Sequence, residues 1–202
     1  MAEIRAFIAI ELPESVRAQL GRIQGQLKPG HEGVVRWVDP KGVHLTLKFL
    51  GNIAESQVPA VADAVRGAAK VGRFPVEVGR PGAFPSLQAP RVVWVGVGGD
   101  LEKLAALQRA IDGALARLGF PPENRPFSPH LTLGRVRETA SKAERRALGE
   151  AVGHLRIEAL TPVEMDSVSV MRSQLTPSGA IYTCLASIPL TDGSNLPNGP
   201  TH

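Results

Sequence analysis

A chain of 202 residues, 43% hydrophobic and only 4% aromatic, can bury a real core, built mostly from Val, Leu, Ile and Ala. The net charge of +4 suits a polyanionic substrate without demanding one. Cys184 is the sole cysteine, which excludes an intramolecular disulfide and fits a reducing cytoplasm. Met1–Glu11 lacks the cationic and apolar regions of a signal peptide, and no run of about 18 apolar residues could span a membrane.

In chain order, Arg5–Glu11 reads as a strand. Pro13–Leu27 reads as a helix, with Pro in the first turn and an apolar stripe of Val16, Leu20, Ile23 and Leu27. A loop containing His31 follows, then a short strand at Val34–Val38, a turn at Asp39–Gly42 and a strand at Val43–Leu50. Ala54–Lys70 reads as a helix, Phe74–Val78 as a strand, Arg80–Pro90 as a loop rich in Gly and Pro, and Arg91–Val97 as a buried strand. Asp100 is the expected N-cap of a helix with the stripe Leu101, Leu104, Leu107, Ile111, Leu115 and Leu118, ended by Gly119. An extended loop, Pro121–Pro129, leads to a strand at His130–Val136. Ser141 and Glu144 form a capping box for a fourth helix. Strands are expected at Arg156–Leu160, Asp166–Arg172 and Ala180–Leu190, with a turn at Gln174–Gly179. Cys184 lies in an apolar run and is expected to be a buried thiol. His154 is expected to be structural or exposed, and residues 191–202, including His202, to form a disordered tail.

One tetrapeptide occurs twice. His44-Leu45-Thr46-Leu47 returns as His130-Leu131-Thr132-Leu133, each in a run of β-formers. Alternation puts His44 with Thr46, and His130 with Thr132, on one face of their strands, leaving the leucines for the core. Each copy follows a loop and precedes a helix. The pattern predicts an α+β fold over residues 1–190: two pseudo-symmetric lobes, each a small antiparallel sheet with outer helices, flanking a central cleft.

Two histidines facing one cleft can supply a general base and a general acid, since each titrates near neutral pH. In-line displacement at phosphorus needs such a pair on opposite sides, and the threonine hydroxyls can hydrogen-bond the non-bridging oxygens. The scheme needs no metal or cofactor. The chain has no H-E-x-x-H, no paired cysteines and no acidic cluster beside either histidine. It also lacks G-x-S-x-G and the G-x-x-x-x-G-K-[ST] phosphate loop.

Four stretches carry a resemblance: Arg5-Ala-Phe-Ile-Ala-Ile-Glu-Leu-Pro13, His44-Leu-Thr-Leu-Lys-Phe-Leu-Gly51, Arg125-Pro-Phe-Ser-Pro-His-Leu-Thr-Leu-Gly-Arg-Val136 and Gly179-Ala-Ile-Tyr-Thr-Cys-Leu185. The chain resembles the 2H phosphoesterase superfamily, in its RNA 2′,3′-cyclic phosphodiesterase (2′-5′ RNA ligase-like) branch. The resemblance implies hydrolysis of a terminal 2′,3′-cyclic phosphate to a 2′-phosphate, with His44 as acid, His130 as base and Arg135 as a substrate contact. RNA ends or cyclic nucleotides are the expected partners, and a monomer is the expected assembly. Strict alternation would turn Arg135 away from His130, so a bulge or a strand end at Gly134 must redirect it. By parity Lys48 shares the face of His44, as a phosphate ligand or as a solvated lysine at the rim. Phe7, Trp37 and Tyr182 are candidates to stack on a base or to fill the core. Other readings are a relative acting on another cyclic or 2′-5′ linkage and an RNA-end-binding module without catalysis.

Overall fold

The computed structural model describes residues 2–157, 162–176 and 179–192. Among the described residues nine strands and four α-helices follow in the order β1 (Glu3–Glu11), α1 (Glu14–Leu27), β2 (Val35–Trp37), β3 (His44–Ala54), α2 (Val58–Ala68), β4 (Phe74–Phe84), β5 (Val92–Gly99), α3 (Leu101–Ala116), β6 (His130–Val136), α4 (Lys142–His154), β7 (Val163–Met165), β8 (Ser167–Thr176) and β9 (Gly179–Pro189). The helix starts obey local chemistry. Asp100 accepts from the Lys103 amide at 3.0 Å to cap α3. Ahead of α4, Ser141 Oγ accepts from the Glu144 amide at 3.2 Å, and Glu144 accepts from the Ser141 amide at 2.7 Å. The Ser141 hydroxyl, which also donates to the Glu144 carboxylate at 2.7 Å, and the Ser141 amide together lower the Glu144 pKa.

The strands form two sheets with every pair antiparallel. One has the order β3-β1-β8-β9 and the other β2-β6-β5-β4-β7. A three-strand unit recurs: β3-β1-β8 in the first sheet matches β6-β5-β4 in the second. Each sheet turns one face to a shared apolar core. Ile4, Ala6, Ile8 and Ile10 of β1 and Val93 and Val95 of β5 meet the stripes of α1 (Leu20, Ile23), α2 (Val61, Val65), α3 (Leu107, Ile111) and α4 (Leu148, Val152) there. The opposite faces carry the His/Thr motifs.

The lobes are not the two halves of the chain. β2 leaves the N-terminal half to become an edge strand beside β6, while β8 and β9 return from the C-terminal end to complete the sheet of β1 and β3. Arg80–Phe84, expected in a loop, continues β4, because a register shift between Val78 and Pro81 lets Pro81–Phe84 pair with Val95–Val92. Likewise β8 and β9 pair through Thr176 and Gly179, where a turn was expected from Gln174. Leu101 and Leu118 are exposed at the two ends of the α3 stripe. Arg156 and Ile157 are not in a strand, and Glu158–Leu160 lie outside the described residues. Of the expected tail, Thr191 donates its amide to the Ala69 carbonyl at 3.0 Å and Asp192 bridges to Val71; residues 193–202 lie outside the described residues.

Lys48 is a further correction. Its side chain is 2% exposed, ion-paired with Asp112 of α3 and bonded to the Pro121 carbonyl at 2.7 Å. It pairs across the ladder with core residue Ile8, so it stands on the face opposite His44. There it ties β3 to α3 and to the start of the loop that leads into β6. Removing the ammonium leaves Asp112 without its partner in a mostly buried place. Lys48→Met should destabilise the fold by about 2–4 kcal/mol, read as a lower denaturation midpoint. A variant with wild-type stability and weakened substrate binding would restore the phosphate role.

Candidate active site

Both motif strands break the alternation of faces at the same letter. In β3, Thr46 pairs with Ala9 and Lys48 with Ile8, so Leu47 is the extra residue of a bulge. In β6, Thr132 pairs with Trp94 and Gly134 with Val93, so Leu133 is the extra residue. Two consecutive residues therefore turn inward in each copy, Leu47 with Lys48 and Leu133 with Gly134, and all four are buried. The next residue comes out on the histidine face. In the second copy that residue is Arg135, paired with Val92 and redirected one position earlier than Gly134. In the first copy it is Phe49, 59% exposed and paired with Phe7.

Gly134 is required by this geometry. A Cβ there would sit 2.5 Å from Val35 Cγ1 and 3.1 Å from the Trp37 ring, because β2 closes over the bulge.

The two imidazoles are held in the same way. His44 Nδ1 bonds the Gly42 carbonyl at 2.9 Å, and His130 Nδ1 bonds the Ser128 carbonyl at 2.7 Å. A carbonyl only accepts, so Nδ1 carries the proton and Nε2 is left with the lone pair in each neutral ring. Each acceptor lies two residues before its histidine, at the end of a turn or loop that delivers the chain to the strand.

Their surroundings differ. The His44 ring lies 4.5 Å from that of Phe7 and 4.7 Å, edge-on, from that of Tyr182. Its cross-strand neighbour is Glu11, which accepts from Ser169 Oγ at 2.8 Å. Burial pushes the His44 pKa below its ordinary value, opposed by the bond to Gly42 and the charge of Glu11. The His130 ring lies 5.0 Å from that of Phe84, edge-on, and 6.2 Å from that of Trp94. The Trp94 indole lies across Gly82, leaving no room for a Cβ there. Thr46 and Thr132 are both half-buried on the histidine faces.

Of the three aromatics singled out in the sequence, Phe7 and Tyr182 border His44. Trp37 packs on the core beside Gly134. Cys184 corrects the expectation of a buried thiol: it is exposed on β9, opposite Met171, on the face of Phe7. A bulge between Val170 and Met171 turns it outward, and partial desolvation pushes its pKa up. His154 is exposed in the last turn of α4, and His31 Nδ1 bonds the Leu27 carbonyl at 2.9 Å to close α1. Phe49, Phe84, Trp94 and Glu11 escaped sequence reasoning. A bulge shared by the two copies would have exposed Phe49, since it occupies the position of Arg135. Among the described residues no three His, Cys, Asp or Glu side chains are grouped to hold a metal, and no helix is long and apolar enough to cross a membrane.

The fold and the doubled motif define a phosphoesterase. The chain belongs to the LigT-like phosphoesterase family, whose model matches residues 10–94 and 97–182, one motif copy in each segment. An RNA 2′,3′-cyclic phosphodiesterase of Methanothermobacter thermautotrophicus is 38% identical over 183 residues, covering 90% of this chain and 96% of the relative. A crystal structure of a Thermus thermophilus protein superposes with a TM-score of 0.74 at 27% identity, covering 94% of this chain and 100% of that one. Escherichia coli LigT complexed with 3′-AMP gives a TM-score of 0.72 at 25% identity, covering 95% and 100% of the two chains.

The bulge makes a testable demand. Gly134→Ala should overpack against Val35 and Trp37 and cost about 1–3 kcal/mol, read as a lower denaturation midpoint. It should also displace Arg135 and lower kcat/KM. Unchanged stability and turnover would show that Gly134 does not set the bulge.

Proposed function

We propose that the protein is a metal-independent RNA 2′,3′-cyclic phosphodiesterase that opens a terminal 2′,3′-cyclic phosphate to a 2′-phosphate. The observation that carries this reading is the matched pair of histidines, each held through Nδ1 by a carbonyl two residues back. The name of the Methanothermobacter relative supports the substrate class.

In the proposed step the cyclic phosphate lies between the two Nε2 atoms. His130, neutral, takes a proton from water as its oxygen bonds to phosphorus. The P–O3′ bond breaks on the opposite side, and His44, protonated, gives its Nε2 proton to the departing O3′. The product carries a 2′-phosphate and a free 3′-hydroxyl. Thr46, Thr132 and Arg135 donate to the non-bridging oxygens, where negative charge is spread in the transition state. His44 ends the step with its proton on Nδ1, the tautomer that the Gly42 carbonyl already selects. Burial lowers the His44 pKa, and the charge of Glu11 opposite it offsets part of that loss, so Glu11 enlarges the imidazolium fraction that the acid role needs.

Incubation with a 2′,3′-cyclic nucleotide, with and without a chelator, tests the reading. A 2′-phosphate formed at the same rate in both is expected; a 3′-phosphate or a chelator-sensitive rate would refute it. His44→Ala and His130→Ala should each lower kcat by about 10²–10⁴-fold. The double variant should be little worse than the poorer single one, since both residues serve one displacement. Binding of RNA ends by a wild type that never turns over would instead leave a binding module.

The acid assignment has its own pH signature. Glu11→Gln removes a charge that raises the His44 pKa, so it should shrink the protonated fraction of His44. The loss in kcat/KM should be largest at alkaline pH, where that fraction limits the rate. It should vanish at acid pH, where His44 is protonated in both proteins. A loss independent of pH would assign Glu11 a purely structural part.

A further inference from the structure

Arg36 of β2 stands directly opposite Arg135 of β6 in the ladder. Directly opposed residues point to the same side of a sheet, so Arg36 shares the face of Arg135, Thr132 and His130. Both arginines are exposed, and among the described residues neither pairs with a carboxylate. Two like charges placed opposite each other on neighbouring strands cost stability. A charged residue on an edge strand does protect against edge-to-edge pairing, and β2 is an edge. That purpose is served by a charge of either sign. It does not explain a second guanidinium set beside one that a bulge has already turned to the histidine face.

We propose that Arg36 binds the phosphodiester on the 5′ side of the terminal nucleotide, one strand outward from Arg135. The inference rests on the reading of the site as a cyclic phosphodiesterase. A 2′,3′-cyclic phosphate closes the 3′ end of its chain, so any further phosphate lies on the 5′ side. The row Phe84, Val92, Arg135, Arg36 crosses the sheet from β4 to β2, passing from apolar to cationic. Neighbouring strands lie about 4.8 Å apart, so Arg36 is set one such step to the side of Arg135, on the flank of β6 away from β5. A planar guanidinium suits a phosphodiester because its parallel N–H groups match two phosphate oxygens. Arg36 is therefore a specificity residue that favours RNA ends over cyclic mononucleotides.

The test compares an oligoribonucleotide ending in a 2′,3′-cyclic phosphate with a 2′,3′-cyclic mononucleotide lacking a 5′ phosphate. In Arg36→Gln the ratio of kcat/KM for oligonucleotide over mononucleotide should fall about tenfold, through KM for the oligonucleotide. Arg36→Lys should recover part of the ratio, as a point charge without the fork. The slope of log(1/KM) for the oligonucleotide against log salt should become shallower by about 0.7 in Arg36→Gln, one phosphate contact on a single strand. An unchanged ratio and slope, or equal losses on both substrates, would overturn the assignment. A wild type inactive on both substrates would reject the cyclic phosphodiesterase reading itself.

Discussion

Strict alternation along a strand, broken once in each motif, is the constraint on which the site depends. A histidine and a threonine two residues apart reach one face of a strand without help. A residue three further on reaches that face only if the ladder takes in one extra residue. β3 and β6 both take it in at the second leucine of the motif, with neighbours β1 and β5 continuing on the far side of the gap. The inward pair that results is used differently in each copy. In β3 it includes Lys48, whose charge must find Asp112. In β6 it includes Gly134, over which β2 closes.

The same device explains how a duplicated frame supports an asymmetric site. The outward residue after the bulge is aromatic and exposed in one copy, Phe49, and cationic in the other, Arg135. Around His44 lie Phe7, Tyr182 and the charge of Glu11; around His130 lie Phe84 and Trp94. Two rings held alike through Nδ1 thus face different surroundings. A donor and an acceptor of protons can be distinguished without changing either histidine.

The sequence made the motif faces, the α+β class and most elements legible because each rests on a local signal. Ser141 with Glu144 marked a helix start, and the stripe of α3 marked its buried side. What stayed hidden depends on partners distant in the chain. Alternation alone placed Lys48 on the cleft face, since a bulge at Leu47 exists only in the pairing of β3 with β1. Cys184 looked buried because its run is apolar, but a bulge in the pairing of β8 with β9 turns it outward. Arg80–Phe84 looked like a loop because Gly and Pro punctuate it. It is a strand because Pro81 takes up pairing again after the register shift, and Gly82 makes room for Trp94. The exchange of β2 between lobes left no local mark at all.

The proposed step, with paired histidines on opposite sides of one phosphorus, requires a single in-line displacement, and that can be read from stereochemistry. A 2′,3′-cyclic phosphorothioate of known configuration, hydrolysed in isotopically labelled water, gives a 2′-phosphorothioate that is chiral at phosphorus. Inversion is predicted, because water enters opposite the departing O3′. Retention would contradict it, since it requires two displacements and a covalent phosphoryl-enzyme intermediate that paired acid–base histidines do not form.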